Sequence, residues 1–477
     1  MDQSTIETLV RIAYIVAAAM FVIGLHRMNS PATARSGNLV SALGMAIAVV
    51  AAGVDVATPS EGQEVSGLAW PIIGLGIAIG GGLGLLTARR VQMTAMPQLV
   101  SLFNAVGGGA AALVAIEDYG ALAGFGGSIP LQTTVATVLG VIIGCVTFSG
   151  SLIASGKLQG LVPGRPITFA GSQIVTAILA LAALAGAALL IVGQPNLAIL
   201  ALIIAVALIF GVTMVLPIGG ADMPVVISLL NSFTGTAAAM AGFVINNPVL
   251  IIAGALVGAA GAILTKLMAD AMNRSILNIL VGGFGTGDAA AGAAAGDGPG
   301  GSVREVTADD VAIQLAYAQK VIVVPGYGLA VAQAQHNVRE LAELLEARGV
   351  TVEYAIHPVA GRMPGHMNVL LADANVPYPQ LKEMEEINPE FSRADVALVV
   401  GANDVTNPAA RTNTSSPIYG MPILNVDEAQ NIVVIKRSMR PGYAGIDNEL
   451  YLNPKTGMLF ADAKDGLAQL VAAVKAV

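Results

Sequence analysis

The chain has little charge, few aromatic residues and almost no cysteine. Of its 477 residues, 11% are charged and 4% are aromatic, whereas 55% are hydrophobic. Because a soluble domain is usually about a quarter charged, this composition argues against an ordinary soluble enzyme. A chain this apolar is not an intrinsically disordered protein either. The single cysteine, Cys145, excludes a disulfide framework and a cysteine-based metal site.

The charges are distributed unevenly along the chain. Residues 1–274 hold nine Lys/Arg and nine Asp/Glu, whereas residues 275–477 hold 14 and 22 and account for the whole net charge of −8. The sequence therefore predicts a membrane domain at 1–275, a linker at 276–302 and a soluble acidic domain at 303–477. The linker contains GGFGTGDAAAGAAAGDGPGG, a composition typical of a flexible tether.

Long apolar stretches fill the first domain. A helix needs roughly 20 apolar residues to cross a bilayer whose hydrocarbon core is about 30 Å thick. No separate cleavable signal is expected, since the first stretch is long and has no basic region before it and no clear cleavage site after it. Nine stretches are predicted to be transmembrane helices: 5–25, 37–57, 67–87, 94–116, 131–154, 169–193, 196–216, 223–245 and 248–271.

Basic residues alternate between the connections of these stretches. They follow the odd-numbered stretches 1, 3, 5 and 9, whereas the connections after stretches 2, 4 and 6 contain no Lys or Arg. The positive-inside rule then predicts that odd-numbered exits, and with them the C-terminal domain, are cytoplasmic. Arg11 is the one discordant charge. The basic residues are Arg27, Arg35, Arg89, Arg90, Lys157, Arg165, Lys266 and Arg274; the connections after stretches 2 and 4 carry Asp55, Glu61, Glu64, Glu117 and Asp118.

Small and polar residues mark the interior of the membrane domain. Glycines four residues apart, at 76, 80 and 84 and at 254 and 258, predict close helix packing. Asn104 lies in the middle of the fourth stretch, and Asp222 and Asn231 belong to the eighth, which reads DMPVVISLLNSFTGTAAA. Polar side chains are costly at this depth, so these three are candidates for a water-lined path. The alternative for the two asparagines is an interhelical hydrogen bond, and for the neighbouring Ser/Thr set it is bonding to a helix carbonyl.

The soluble domain alternates strands and helices. Six strands are predicted, together with an amphipathic helix at 329–349, and this alternation favours a parallel doubly wound sheet in a Rossmann-like α/β domain. The strands are VIVVPGYG (321–328), TVEYAIH (351–357), DVALVVGAN (395–403), PILNV (422–426), NIVVIKRS (431–438) and MLFAD (458–462).

The first strand ends in a glycine turn. Gly326 and Gly328 precede the helix, and Ala332 is the next small residue, one position later than in the common dinucleotide fingerprint. Two such glycines let the backbone approach a pyrophosphate at the N-terminus of the helix. A plain tight turn is the alternative, but the strand–turn–helix context favours a nucleotide.

An acid that would select NAD is missing after the second strand. That strand runs into AIHPVAGRMPG, which offers Arg362 instead. After the fifth predicted strand comes KRSMRPGYAG (436–445), where three cations surround a serine and suit a 2′-phosphate. A solvated charged surface is the alternative. A phosphate site after this strand, rather than after the second, also indicates that the dinucleotide lies across the sheet in the opposite direction to the usual one.

Two further groups lie at the carboxyl ends of strands. Asn403 and Asp404 in GANDVTNPAA could hydrogen-bond a ribose or a carboxamide, or could cap a helix. His357 and His366 have no third ligand nearby, so no metal site is expected.

These motifs together resemble the beta subunit of the proton-translocating NAD(P)+ transhydrogenase, over essentially the whole chain. The matching stretches are GGADMPVVISLLNSF, AMNRS, GYGLAVAQAQ, HPVAGRMPGHMNVLLA, GANDVTNPAA, KRSMRPGYAG and MLFADAK. The resemblance implies that this chain binds NADP(H) and that an alpha subunit carries NAD(H). It further implies direct hydride transfer coupled to proton movement across a bacterial cytoplasmic membrane. The assembly implied is a dimer of alpha/beta units, with no nucleic-acid partner. No side-chain acid or base is then needed for the hydride step.

The resemblance also assigns residues to roles. Asp222, Asn231 and Arg274 match positions associated with proton coupling, and Asn104 stands where some members have a proton-carrying histidine. An amide does not titrate near neutral pH, so either water or a residue of the partner would relay the proton there. Lys436 and Arg437 would hold the 2′-phosphate. The NADP(H) contacts would be Gly326, Tyr327, Gly328, Val359, Ala360, Gly361, Arg362, Met363, Pro364, Gly401, Ala402, Asn403, Asp404, Val405, Gly420, Met421, Lys436, Arg437, Ser438, Met439, Arg440, Pro441, Gly442, Tyr443, Asp462 and Ala463.

Two other functions fit a membrane domain joined to a nucleotide-binding fold. A channel or transporter gated by a cytosolic nucleotide domain would need a pore filter or paired carboxylates, and the sequence offers neither. A membrane-anchored NADP reductase would need a flavin or haem site, but the membrane stretches lack paired histidines.

Overall fold

The computed structural model describes residues 3–58, 67–124, 129–164, 166–169, 171–193, 195–220, 222–281, 303–362, 365–414, 416, 418–442 and 444–477. Most of the predicted linker (282–302) and three candidate NADP(H) contacts, Met363, Pro364 and Tyr443, lie outside these ranges. The chain divides into two compact units. The first comprises Met1–Ile218 and Val226–Leu264, and the second comprises Gly219–Val225 and Thr265–Val477.

Nine helices among the described residues are long and apolar enough to cross a membrane, which confirms the predicted number. They are α1 (Gln3–Arg27), α2 (Pro31–Ala57), α3 (Ala69–Arg90), α4 (Met96–Gly124), α5 (Leu131–Gln159), α6 (Ser172–Val192), α7 (Leu197–Val215), α8 (Met223–Val244) and α9 (Pro248–Ala271). The short helix α10 (Ile276–Val281) occupies the first six residues of the predicted linker.

Helices α1 to α5 are all longer than the predicted stretches, and α4 and α5 show the reason. Helix α4 has 29 residues, or about 43 Å, and therefore contains Glu117 and Asp118, which were expected in a connection. Helix α5 continues to Gln159 and contains Lys157, also expected in a connection. Apolarity marks only the part of a helix that lies in hydrocarbon, so the polar ends of both helices were missed.

The first unit is held together by close helix pairs. Helix α1 packs on α2, α4 on α5, and α7 on both α5 and α6. Glycine makes the α8–α9 contact possible: a Cβ added at Gly254 would lie 2.4 Å from the Ala239 backbone nitrogen, and one at Gly235 would lie 2.5 Å from the Gly258 nitrogen. The packing predicted for 254 and 258 is therefore confirmed. Around a Cβ added at 76, 80 or 84 of α3, no described atom lies within 4 Å.

The second unit contains a six-stranded parallel sheet with helices around it. Its strand order is β3-β2-β1-β4-β5-β6, the order of a doubly wound dinucleotide fold. The strands are β1 (Lys320–Pro325), β2 (Thr351–Ile356), β3 (Leu381–Glu383), β4 (Val396–Val400), β5 (Asn431–Lys436) and β6 (Thr456–Phe460). The helices are α11 (Ala308–Ala316), α12 (Tyr327–Val331), α13 (Gln335–Glu346), α14 (His366–Asp373), α15 (Met384–Ile387), α16 (Ala409–Thr412) and α17 (Ala463–Ala476).

Two local predictions in this unit were wrong. The apolar run 422–426 is not a strand, although Leu424 and Val426 are fully buried in the core. The missing strand is instead the short edge strand β3, which is too polar to be recognised as apolar. A short buried apolar run has no periodicity that distinguishes a strand from other buried chain. The predicted helix at 329–349 is broken between α12 and α13, where Gln333 adopts a left-handed φ of 51°.

Candidate nucleotide-binding site and membrane polar residues

The candidate site begins where the strand order reverses, between β1 and β4. The Gly326 amide donates to the Val400 carbonyl and the Gly328 amide to the Gly401 carbonyl, each at 2.9 Å. A Cβ at Gly326 would lie 2.3 Å from the Ala402 Cα, and one at Gly328 would lie 2.6 Å from the Gly401 Cα. The two turns therefore touch backbone to backbone at the switch point, where such folds usually bind their ligand.

A cationic and aromatic cluster follows β2. The Arg362 guanidinium lies 4.5 Å from the centroid of the Tyr327 ring, and the centroid of the His366 ring lies 6.2 Å from that same centroid. The Arg362 amide donates to His366 Nδ1 at 3.1 Å. Burial, and secondarily the charge of Arg362, lower the pKa of His366. Gly361 is held at a φ of 111°, with no room for a Cβ against His366.

His357, at the end of β2, is buried in a fixed orientation. Its Nδ1 accepts from the Val359 amide at 3.2 Å, and its Nε2 donates to the Pro422 carbonyl at 2.8 Å. Burial lowers the pKa of His357 to about 4. His357 is therefore neutral at physiological pH and ties the loop after β2 to the segment before β5. Ala360, a candidate contact, is 5% exposed in this loop.

Asn403 and Asp404 hold the loop after β5. The Asn403 Oδ1 atom accepts from Tyr451 Oη at 2.9 Å and from Asn448 Nδ2 at 3.1 Å. Asp404 Oδ2 accepts from the Ala444 amide at 3.0 Å. A Cβ on Gly442 would lie 2.6 Å from Asp404 Oδ1, so the loop passes directly over these two side chains. The alternative of a simple helix cap for this pair is therefore wrong.

The basic loop at 436–445 starts from the last residue of β5. Lys436 Nζ lies 5.0 Å from the Tyr451 ring centroid and donates to the Arg440 carbonyl. Burial lowers the pKa of Lys436, and the charges of Asp404 and Asp447 oppose this shift. Ser438 is half-buried, whereas Arg437, Met439, Arg440 and Pro441 are exposed. The loop thus presents one positioned and two accessible cations.

The segment 418–424, which we call the 418–424 connection, contacts the loops after β2, β4 and β5. Its Pro422 carbonyl accepts the hydrogen bond from His357 Nε2, and its Leu424 amide donates to the Val405 carbonyl at 2.9 Å. The Gly420 amide donates to the Ala410 carbonyl at 2.8 Å. Ile418, Met421 and Ile423 share a cluster with Ala410, Ala444 and Ile446. The sequence identified only Gly420 and Met421 here, by resemblance, and misread Pro422–Val426 as a strand.

Asp462 and Ala463 lie at the end of β6. Asp462 caps α17, because its Oδ1 accepts from the Lys464 amide at 3.1 Å. Ala463 is the first residue of that helix and is 8% exposed. This cap explains Asp462 without a ligand, and its assignment to NADP(H) remains a prediction.

In the first unit, Asn104 connects α4 to α8. Its Nδ2 donates to the Ile227 carbonyl at 3.3 Å, and its own carbonyl accepts from Thr234 Oγ1 at 3.2 Å. The interhelical hydrogen bond considered for Asn104 is therefore present. Asn231 is half-buried on α8. Ser232 Oγ donates across to the Gly258 carbonyl of α9 at 2.6 Å, whereas Thr236 Oγ1 bonds back to the Ser232 carbonyl at 3.0 Å.

Asp222 and Arg274, both in the second unit, form an ion pair. Arg274 Nη1 lies 2.8 Å from Asp222 Oδ1 and 2.7 Å from Oδ2. The Asp222 side chain is 13% exposed and that of Arg274 is 36% exposed. Burial raises the pKa of Asp222, and the charge of and the hydrogen bond from Arg274 oppose this rise. The sequence selected both residues but gave no indication that they touch.

A dinucleotide fits the residues around the switch point. The glycine turns bring the ends of β1 and β4 together at the switch point, and the basic loop supplies cations for phosphate. Among the described residues, the buried Asn403 Nδ2 and His366 Nε2 have no hydrogen-bond partner. Buried donors are nearly always paired in native proteins, so both are suited to a ligand that completes them. No group of His, Cys, Asp and Glu among the described residues could hold a metal ion.

Fold and site together define a class of protein. Nine apolar helices and a parallel doubly wound domain of the dinucleotide type belong to a multi-pass membrane protein with a nucleotide-binding-type soluble unit. The family model described as NAD(P) transhydrogenase beta subunit matches residues 10–473, and the chain belongs to this family.

The chain is also similar to individual members of this family. Two curated relatives, both called NAD(P) transhydrogenase subunit beta and both from Rhodospirillum rubrum, are each 52% identical to it over 476 residues. The match covers 98% of this chain and 99% of each relative. The family resemblance seen in the sequence is thereby confirmed. Membership makes the chain part of an oxidoreductase that uses nicotinamide dinucleotides, with an alpha subunit as its partner.

Proposed function

We propose that this chain binds NADP(H) in its second unit and, with an alpha subunit that carries NAD(H), transfers hydride between the two dinucleotides. The observation that carries the proposal is the basic loop at 436–445, held against Asn403 and Asp404 beside the glycine turns. The bound dinucleotides supply the hydride chemistry. This chain supplies position and charge, through the turn at Gly326–Gly328 and the cations Lys436 and Arg437.

Preference for the 2′-phosphate is the first test of this proposal. The full-length chain in detergent should bind NADP(H) far more tightly than NAD(H) by calorimetry. Changing Lys436 and Arg437 together to alanine should weaken NADP(H) by several kcal/mol, since each charge-assisted hydrogen bond contributes about 1.5–3 kcal/mol. Arg393→Ala with Lys475→Ala is the control, because both side chains are exposed cations, one just before β4 and the other in the last turn of α17. Equal affinity of the unmodified chain for both nucleotides would contradict the proposal.

We further propose that hydride transfer is coupled to proton movement at Asp222, Arg274, Asn231 and Asn104. The support is that Asp222 is a largely buried acid paired with a cation, next to the first residue of α8. The C-terminal unit would face the cytoplasm of a bacterium, and two alpha/beta units would form a dimer. Neither Asn104 nor Asn231 titrates, so each would position water rather than carry the proton itself.

Proton coupling is tested in vesicles that contain the chain assembled with its partner. The chain alone should not transfer hydride between NADH and NADP+, and addition of the NAD-binding partner should restore transfer. Asp222→Asn and Asn231→Leu should strongly reduce proton pumping, followed by quenching of a pH-sensitive dye, whereas Ser228→Ala should have little effect. Unchanged pumping per hydride in both variants would show that protons travel elsewhere.

A further inference from the structure

The turn that ends α9 places two side chains in a fixed relation. Asn273 adopts a left-handed φ of 52°. Its amide donates to the Asp270 carbonyl at 2.9 Å, and the Arg274 amide donates to the Ala269 carbonyl at 2.9 Å. This pair of bonds is the Schellman arrangement, with asparagine at the left-handed position and Arg274 directly after it. The motif fixes the backbone of both residues, so a displacement of the backbone at Arg274 also displaces Asn273.

Each of the two side chains holds a different part of the second unit. Arg274 holds Asp222 through the ion pair described above. Asn273 Nδ2 donates to the Tyr419 carbonyl at 3.1 Å. The contact is close enough that a Cβ on Gly420 would lie 2.3 Å from Asn273 Nδ2. Gly420 also has a left-handed φ of 79°, so a glycine is favoured there for two independent reasons.

The backbone that Asn273 contacts, at Tyr419 and Gly420, belongs to the 418–424 connection. That segment is bonded to the loop after β2 through His357 and to the residues after β4 through Val405 and Ala410. It also packs against Ala444 and Ile446 of the segment after β5. A displacement of the Tyr419–Gly420 peptide would therefore reach three of the loops that the nucleotide is proposed to touch, those after β2, β4 and β5.

We infer that Asn273 is a positioning residue that couples the Asp222–Arg274 ion pair to the nucleotide site through the 418–424 connection. The inference rests on the proposed function. A change in the ion pair moves Arg274, the shared turn moves Asn273, and Asn273 moves the Tyr419–Gly420 peptide. Linkage requires the reverse as well: a nucleotide that repositions the connection changes the ion pair by the same free energy.

The test is a double-mutant cycle on NADPH binding by the full-length chain in lipid vesicles. Asp222→Asn should change NADPH affinity about tenfold, within the usual range of coupling between sites. In an Asn273→Gly background, which keeps the left-handed turn but removes the amide, the same change should have less than about a twofold effect. Asn375→Gly is the matched control, because Asn375 is also a left-handed asparagine (φ 58°) at the end of a helix. The tenfold effect should persist there.

A second variant changes Gly420, the residue that lies against the Asn273 amide. Gly420→Ala should also abolish the effect of Asp222→Asn, whereas Gly349→Ala, at a φ of 87° with open space around it, should preserve it. A full effect of Asp222→Asn in the Asn273→Gly background would overturn the inference, as would no effect in the unmodified background. Either result leaves the proposed function standing, provided that the unmodified chain still prefers NADP(H) over NAD(H).

Discussion

The two units of this molecule bury opposite kinds of side chain. In the first unit the fully buried residues are mostly small, such as Ala17, Ala105 and Ala115, whereas many leucines and isoleucines face outward. In the second unit Val321, Ile322 and Leu398 are fully buried. Lipid is as apolar as leucine, so membrane helices gain little from hiding large side chains and associate through close backbone contact. The soluble unit folds by removing the same large side chains from water.

Polar side chains differ between the units in the same way. In the first unit they bond mostly to backbone carbonyls, either of their own helix, as Thr236 does to the Ser232 carbonyl, or of another helix, as Ser101 does to the Ser151 carbonyl. In the second unit they bond to one another around the candidate site, as Tyr451 and Asn448 do to Asn403. Polar groups thus fix helix contacts in one unit and shape a ligand site in the other.

The role of close backbone contact in the membrane unit is tested most directly by adding one methyl group to one of its glycines. Gly254→Ala should destabilise the chain by about 1–3 kcal/mol or more, because the new Cβ would lie 2.4 Å from the backbone of α8. The readout is the temperature at which the protein in detergent loses its folded, monodisperse form. Gly80→Ala on α3 is the control, since nothing described lies within 4 Å of its Cβ.

The two glycines occur in the same four-residue spacing, so the sequence alone treats them alike. If Gly80→Ala were as damaging as Gly254→Ala in the isolated chain, the close α8–α9 contact would not explain the loss at Gly254, since alanine is the better helix former at both positions. An effect of Gly80→Ala that appears only in the assembled complex would instead show that α3 packs against another subunit.

A second prediction concerns the soluble unit and its buried histidine. Burial lowers the pKa of His357 from 6.5 to about 4. Between these values the unfolded chain binds a proton that the folded chain does not, so stability falls as the pH decreases from 6.5 to 4. The loss should reach about 3 kcal/mol, and above pH 6.5 the full stability should be present.

The measurement is hydrogen-exchange protection of the β2 amides at several pH values, corrected for the intrinsic pH dependence of exchange. His357→Gln can both donate to Pro422 and accept from Val359, and should remove most of this dependence. Protection that does not change between pH 6.5 and 4 in the unmodified chain would contradict the assignment of His357 as a neutral, buried link.

Sequence reasoning recovered the repetitive parts of the fold and missed what depends on tertiary contacts. The nine helices and five of the six strands follow from long apolar runs and from alternation. The short polar strand β3 and the break at Gln333 carry no such pattern, because neighbouring elements determine them. At the site, the glycine turns and the basic loop were recognisable as motifs. The function of the 418–424 connection was not, because it depends on carbonyls of Tyr419 and Pro422, and any residue type supplies a carbonyl.

Lys157 shows the same limit for a charged residue. It was counted among the basic residues of a connection, yet it is 5% exposed and donates to the carbonyls of Leu216 at 2.5 Å and Ile218 at 2.7 Å. These carbonyls lie just after Val215, the last residue of α7, and the Leu216 carbonyl also accepts from the Ile167 amide at 3.1 Å. Lys157 therefore completes the end of α7 and holds the start of the segment that leads to α8.

Lys157→Met keeps the apolar stem and removes the ammonium group, so the Ile218 carbonyl loses its bond from Lys157 and the Leu216 carbonyl keeps only the one from the Ile167 amide. The expected cost is about 1–3 kcal/mol of stability, from the same thermal measurement in detergent. Lys266→Met is the matched control: its ammonium pairs with Asp270 at 2.7 Å, but the two side chains are 69% and 58% exposed. Exposed pairs of this kind contribute about 0.5 kcal/mol or less. Equal losses in the two variants would mean that the ammonium of Lys157 contributes no more than a surface charge, and its assignment as the cap of α7 would be wrong.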